Sequence, residues 1–185
     1  MTPAPSTAHT HQPPFEPEAR LAQWVDTWAD SLKGQPPVPC GVVHPCDANS
    51  LASALSAARR GLIVPWLIGP EAKIRAVAEQ AGLDLADARI EAVAHSHAAA
   101  ALAAEMACAG RIEVLMKGSL HTDELMRAVI STPALRTKRR ISHVFRFDIP
   151  AYHKPIMITD AAINIAPTLE EKADIVANAI DLARV

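Results

Sequence analysis

Aromatic residues are scarce in this chain: three Trp, one Tyr and three Phe make up 4% of 185 residues. Ala, Val, Leu and Ile must therefore fill any core, and a surface of stacked rings for single-stranded nucleic acid is disfavoured. Cysteine is scarce too. Cys40, Cys46 and Cys108 are odd in number and lack metal-ligand spacing, so neither a disulfide framework nor a metal site is supported. No apolar run approaches the roughly 20 residues that a membrane helix needs, and the N-terminus carries no basic-plus-apolar leader. A large excess of charge of one sign is also missing. The formal net charge is −2, which argues against nucleic acid as a general partner. The expectation is a cytoplasmic protein in a reducing setting, engaging neither membrane nor nucleic acid.

What the chain does have is apolar mass. Half of its residues are hydrophobic and 21% are charged, enough to build a core rather than a disordered coil. Residues 1–15, rich in Pro, Thr and His, read as a disordered tail. Residues 16–37 read as an amphipathic helix with a Pro-rich connector, its apolar face carrying Leu21, Trp24, Val25, Trp28 and Leu32. The two tryptophans are expected to dock on the domain or to meet a partner subunit.

From Gly41 a strand–helix unit recurs about every 25 residues. Strands are expected over residues 41–44, 62–68, 89–94 and 111–116. Pro65 implies a bulge or an edge position in the second of them. Helices follow, one over residues 49–60 ended by Gly61, the next opened by Pro70 and closed by Gly82. Ser96 is expected to cap an Ala-rich helix ending at Gly110, and a further helix spans 123–130. Residues 142–148 and 155–159 then suggest a hairpin. Thr168 with Glu171 makes a capping box for a last helix, in which Leu169, Ala173, Val176, Ile180 and Ala183 form one apolar stripe. The class is α/β, a mostly parallel sheet with flanking helices, and ligands belong at the carboxyl ends of its strands.

Three places can carry chemistry. The turn Lys117-Gly118-Ser119-Leu120-His121-Thr122 hands a strand over to a helix. Gly118 permits close backbone approach, and Ser119, His121 and Thr122 add side-chain donors near free helix N–H groups that attract phosphate. An ordinary cap, with Thr122 as N-cap and Asp123 and Glu124 complementing the dipole, explains the same residues. Arg136, Lys138, Arg139 and Arg140 form a basic loop, either solvated or a phosphate clamp. Asp160 ends an apolar strand, where a carboxylate can take a proton, orient a neighbour or cap a turn; Thr159 and Asn164 are placed to share its pocket. His44-Pro45-Cys46-Asp47 reads as a polar turn with Asp47 or Asn49 as cap rather than as a Cys–His pair. His95 and His97 lack the further ligands that a metal would need. His143 reads as a core or edge histidine.

The wording of residues 113–171, with Val42-Val43-His44-Pro45-Cys46-Asp47 and Gly61-Leu62-Ile63-Val64-Pro65, resembles the phosphate acetyltransferase/phosphate butyryltransferase family. Met116-Lys117-Gly118-Ser119-Leu120-His121-Thr122 and Ile158-Thr159-Asp160-Ala161-Ala162-Ile163-Asn164 carry the likeness, which runs from about residue 38 to 185. The resemblance implies an isopropylmalate dehydrogenase-like lobe and acyl transfer between phosphate and coenzyme A. Acyl phosphate, phosphate and coenzyme A are then partners as substrates, and no cofactor is bound. It implies substrate contacts by Ser119, His121, Thr122, Arg127, Arg140, Ser142, Thr159, Asp160 and Asn164. The family's thiol-activating residues lie in its later part, so the catalytic residues are unknown and residues 38–185 are expected to be the truncated first part of the transferase domain. Completion by a homodimer or a complementary second lobe is expected. The alternative is a non-catalytic phosphate- or nucleotide-binding or assembly module. A dehydrogenase is disfavoured, for there is no Gly-rich dinucleotide turn and no carboxylate cluster for a metal.

Overall fold

A computed structural model describes residues 17–86, 88–149, 152 and 154–184. The tail expected at residues 1–15 and much of the segment joining the two hairpin strands lie outside the described residues. The elements are α1 (Pro17–Ser31), β1 (Val38–Val43), α2 (Ala48–Arg59), β2 (Ile63–Gly69), α3 (Glu71–Ala81), β3 (Arg89–Ala92) and α4 (Ser96–Cys108). They continue with β4 (Val114–Lys117), α5 (Thr122–Ile130), a 3-10 turn (Pro133–Leu135), β5 (Val144–Phe147), β6 (Ile156–Thr159) and α6 (Leu169–Ala183). They group into two units. One is Trp28–Lys138; the other joins Met1–Thr27 to Arg139–Val185.

In the first unit four parallel strands stand in the order β3-β2-β1-β4. Chain order runs outward from β1 through β2 to β3, then β4 returns to the other side of β1. The reversal leaves a switch point between β1 and β4, where open α/β sheets form a crevice at their carboxyl ends. Two cores cover the sheet. On one face Val42, Leu67 and Cys40 meet Leu51 and Ala54 of α2 and Ile74 and Ala78 of α3. On the other, Val43 and Ile68 meet Ala99, Ala100, Ala103 and Met106 of α4, with Ile112, Leu120 and Leu125. The small side chains of α4 let that helix lie close to the sheet, which is how a core with few rings is filled. Gly41 belongs to the same economy of space, since a Cβ there would stand 2.5 Å from the Ile112 side chain.

Several local details differ from the sequence reading. β1 begins at Val38, three residues before the strand expected over 41–44, because Val38 N–H donates to Leu62 O (3.0 Å) and its register with β2 runs from Val38↔Ile63. Pro65 sits in β2, an inner strand, but before the pairing with β3 begins at Trp66↔Arg89. Its missing N–H therefore costs no ladder bond on that side. Pro70 is the N-cap of α3 rather than its first residue. Asp47 caps α2, accepting from Ser50 N–H at 2.9 Å. The Ala-rich helix α4 is capped by His95, whose Nδ1 accepts from Ala98 N–H at 3.2 Å, and not by Ser96.

In the second unit β5 and β6 pair antiparallel, Val144↔Thr159 to Phe147↔Ile156, as a two-stranded sheet of their own. The capping box at Thr168 and Glu171 forms as read. The apolar stripe of α6 does not pack. Leu169 is 84% exposed and Val176 52%, whereas Ile175, off the stripe, is 5% exposed. Trp24 is stacked by the Arg146 guanidinium, 4.4 Å from the ring centre.

Candidate functional site

At the switch point the turn after β1 and the turn after β4 are tied together. Gly118 N–H donates to Val43 O (2.8 Å) and Ser119 N–H to His44 O (2.9 Å). His44 Nδ1 lies 2.8 Å from Ser119 O and 3.3 Å from Ser119 Oγ, which itself lies 3.3 Å from His44 O. A carbonyl oxygen only accepts, so Nδ1 carries the hydrogen. Gly118 is required by this closeness rather than by a bound phosphate. A Cβ there would stand 2.5 Å from His44 O and 2.6 Å from Val43 O, both backbone atoms. The N–H groups of Gly118 and Ser119 are therefore engaged with the carbonyls of residues 43 and 44. Lys117 Nζ folds over the turn, donating to Leu120 O (2.9 Å) and Gly118 O (3.2 Å).

The donors that remain lie one step further on. The N-cap of α5 is His121, not Thr122, and it makes no side-chain cap bond. The first-turn N–H groups of α5 thus keep their positive end open. His121, Thr122 and Arg127 are exposed. Of the two first-turn acids, Glu124 turns to α4, where Oε1 lies 3.7 Å from His97 Nε2. Cys46, two residues after His44, has its thiol pushed up by burial, and the His44 Nδ1 is taken by Ser119.

The second unit gathers the other five sequence-predicted residues into one network. The Asp160 carboxylate accepts from the N–H groups of His143 (3.2 Å), Ala162 (3.3 Å), Ile163 (3.1 Å) and Asn164 (2.9 Å), and from Asn164 Nδ2. Burial pushes this carboxyl up, but the bonds from Asn164, Ile163, Ala162 and His143 outweigh it and hold it down at about 2. Arg140 donates through Nε to Asn164 Oδ1 (2.7 Å) and pairs with Glu171 at 3.0 Å. Its own N–H donates to Asp174 Oδ2 at 2.9 Å. Asn178 Nδ2 donates to Ser142 Oγ and Arg140 O, both at 2.8 Å, and Thr159 Oγ1 to His143 O at 2.8 Å. Arg139 of the basic loop pairs with Asp181. Asp174 and Asn178 on α6 are partners that sequence reading missed, and Glu171 was read only as part of a cap; their i, i+3, i+7 spacing marked one polar face, but nothing marked what would meet it.

The residues of this site match a known family. Residues 91–185 fit the family model described as "Phosphate acetyl/butaryl transferase". A phosphate acetyltransferase from Rhizobium meliloti is 57% identical over 82% of this chain and 48% of its own length. The chain belongs to the phosphate acetyl/butyryl transferase family. A phosphate butyryltransferase from Clostridium acetobutylicum, 31% identical over 74% of the chain and 46% of its own length, extends the likeness to the second branch of the family. Phosphotransacylase structures show the same fold. That of a phosphotransacetylase from Streptococcus pyogenes has a TM-score of 0.73 at 16% identity and covers 89% of this chain and 58% of its own. The chain spans about half the length of the curated relatives it matches. Both quoted motifs, residues 116–122 and 158–164, fall within the matched range.

Proposed function

We propose that this phosphate acyltransferase-family chain takes part in transfer of an acetyl or butyryl group between phosphate and coenzyme A, and that its own contribution is the anion-binding part of the site. The uncapped start of α5 beside the switch point carries this reading. Its N–H groups, with Thr122 Oγ1, His121 and Arg127, are donors beside the crevice whose side chains meet no partner among the described residues, and an acyl phosphate needs such donors. Ser119 shapes that turn. Arg140, Ser142, Thr159, Asp160 and Asn164 act through the network that fixes residues 140–143 and 159–164, so we assign them to holding a substrate wall and not to proton transfer. A carboxylate held at about 2 is a poor base at neutral pH. Thiol activation is assigned to no residue of this chain. Coenzyme A enters as substrate, and a homodimer or a complementary second lobe supplies the rest.

A second reading, a phosphate-binding or assembly module without turnover, is favoured by one observation: the Asp160 carboxylate of the candidate site is held down at about 2 and is committed to the turn that it caps. Thioester formation from acetyl phosphate and coenzyme A by the purified chain, followed by absorbance, separates the two. The proposed function expects turnover that falls at least about tenfold in Arg127→Ala, the loss of one charge-assisted bond. Stabilisation by acetyl phosphate without turnover would leave the binding module. Neither turnover nor stabilisation would overturn both.

A further inference from the structure

We infer that His44 is the positioning residue of the switch-point crevice, holding the turn into α5 where its open N-terminus can meet an anion. The inference rests on the function proposed above and assigns a role to a residue that reading leaves unused. His44 adopts φ 55°, in the left-handed region that non-glycine residues seldom enter. Such a conformation persists where surrounding bonds over-determine it, and here they do. The residue offers its carbonyl to Ser119 N–H and Oγ, its ring N–H to Ser119 O, and its own backbone N–H to Ile68 O of β2 at 2.7 Å. One residue thus joins the ends of β1, β2 and β4.

The side chain holds what local bonds cannot. Lys117 ties the turn only to itself, through Gly118 O and Leu120 O. The bonds that Gly118 and Ser119 make across to the end of β1 go to Val43 and His44. Because α5 has no side-chain cap, the direction of its first-turn donors depends on where residues 118–121 are held. The Ser119 carbonyl also fixes the ring as the Nδ1–H tautomer when neutral. His44 acts through Ser119 and the turn, and the inference gives it no contact with substrate.

Two variants of the full chain separate the side chain from the backbone. His44→Gly relaxes the left-handed φ and removes the ring N–H. His44→Asn tolerates that φ and returns an N–H at the position of Nδ1. Amide exchange of Ser119 and the half-saturating inorganic phosphate concentration, read from thermal shifts, are the two observables. His44→Gly is expected to exchange Ser119 and to weaken phosphate each by about tenfold, with His44→Asn restoring both. Unchanged exchange and unchanged phosphate binding in His44→Gly would overturn the inference. Faster exchange with phosphate binding intact would also overturn it, by making the contact structural alone; so would failure of His44→Asn to restore either. If the unmodified chain shows no phosphate-induced shift, the proposed function fails, while Ser119 exchange still reads whether His44 holds the turn.

Discussion

Five hydrogen bonds converge on the Asp160 carboxylate, four of them from backbone N–H groups. That environment gives Asp160 a structural task and sets its pH dependence. A carboxyl held down at about 2 stabilises the fold above its ordinary value near 4, and the gain disappears as pH falls through about 2. Asp160→Asn is expected to cost about 1–2 kcal/mol at neutral pH, allowing for solvent at a half-buried position. Chemical denaturation at pH 7 and at pH 2.5 checks the sign. The gap between variant and parent should shrink at the lower pH, and a gap constant across that range would show that ionisation of Asp160 is not what stabilises the turn. Cys40 illustrates the opposite sense. Burial pushes its thiol up to about 11, which leaves it an apolar core residue without nucleophilic use.

At the scale of elements, α6 shows how far a sequence pattern reaches. The 3.6-residue period and the Thr168/Glu171 capping box located the helix, and both are present. The period also marked an apolar face, and amphipathic helices usually bury such a face. The chain instead turns Asp174 and Asn178 toward Arg140, Arg139 and Ser142 and buries Ile175. A stripe tells which side seeks cover and not who provides it. Ile175→Ala should therefore cost about 2–4 kcal/mol. The double variant Leu169→Lys, Val176→Lys should stay within about 0.5 kcal/mol of the parent in urea unfolding and bind less hydrophobic dye. A large loss in that double variant would mean the stripe is packed in the chain as it exists in solution. The parallel sheet and the βα rhythm were legible because each strand and helix carries its own punctuation. The latch of His44 and Ser119 was not, because it joins residues 75 positions apart and no local pattern encodes such a meeting. Gly118 was noticed for close backbone approach, and what approaches is backbone of the β1 turn, in the space a Cβ would fill.

For the molecule as a whole, the division into two units means that the nine predicted residues do not form a single list of equals. Ser119, His121, Thr122 and Arg127 belong to Trp28–Lys138, and the other five to the unit containing Arg139–Val185. Loss of function by Arg140→Ala is accordingly expected with a lower melting temperature, and by Arg127→Ala without one, a contrast that thermal unfolding of the two variants reads directly. The strand order has a further consequence, in the time taken to fold. Pairing β1 with β2 joins Val38 to Ile63, whereas β4 reaches β1 only after the chain has gone out to β3 and back. Closing that threefold longer loop adds roughly 1 kcal/mol of entropy, and it must wait until the intervening helices exist. The crevice between β1 and β4 should therefore be the last part of the sheet to acquire protection in pulse-labelled refolding, with the amides of Leu115 and Lys117 lagging those of Val42 and Leu67. A nascent chain that has emerged only as far as β3 would already possess most of one core and none of the crevice that we propose for the anion.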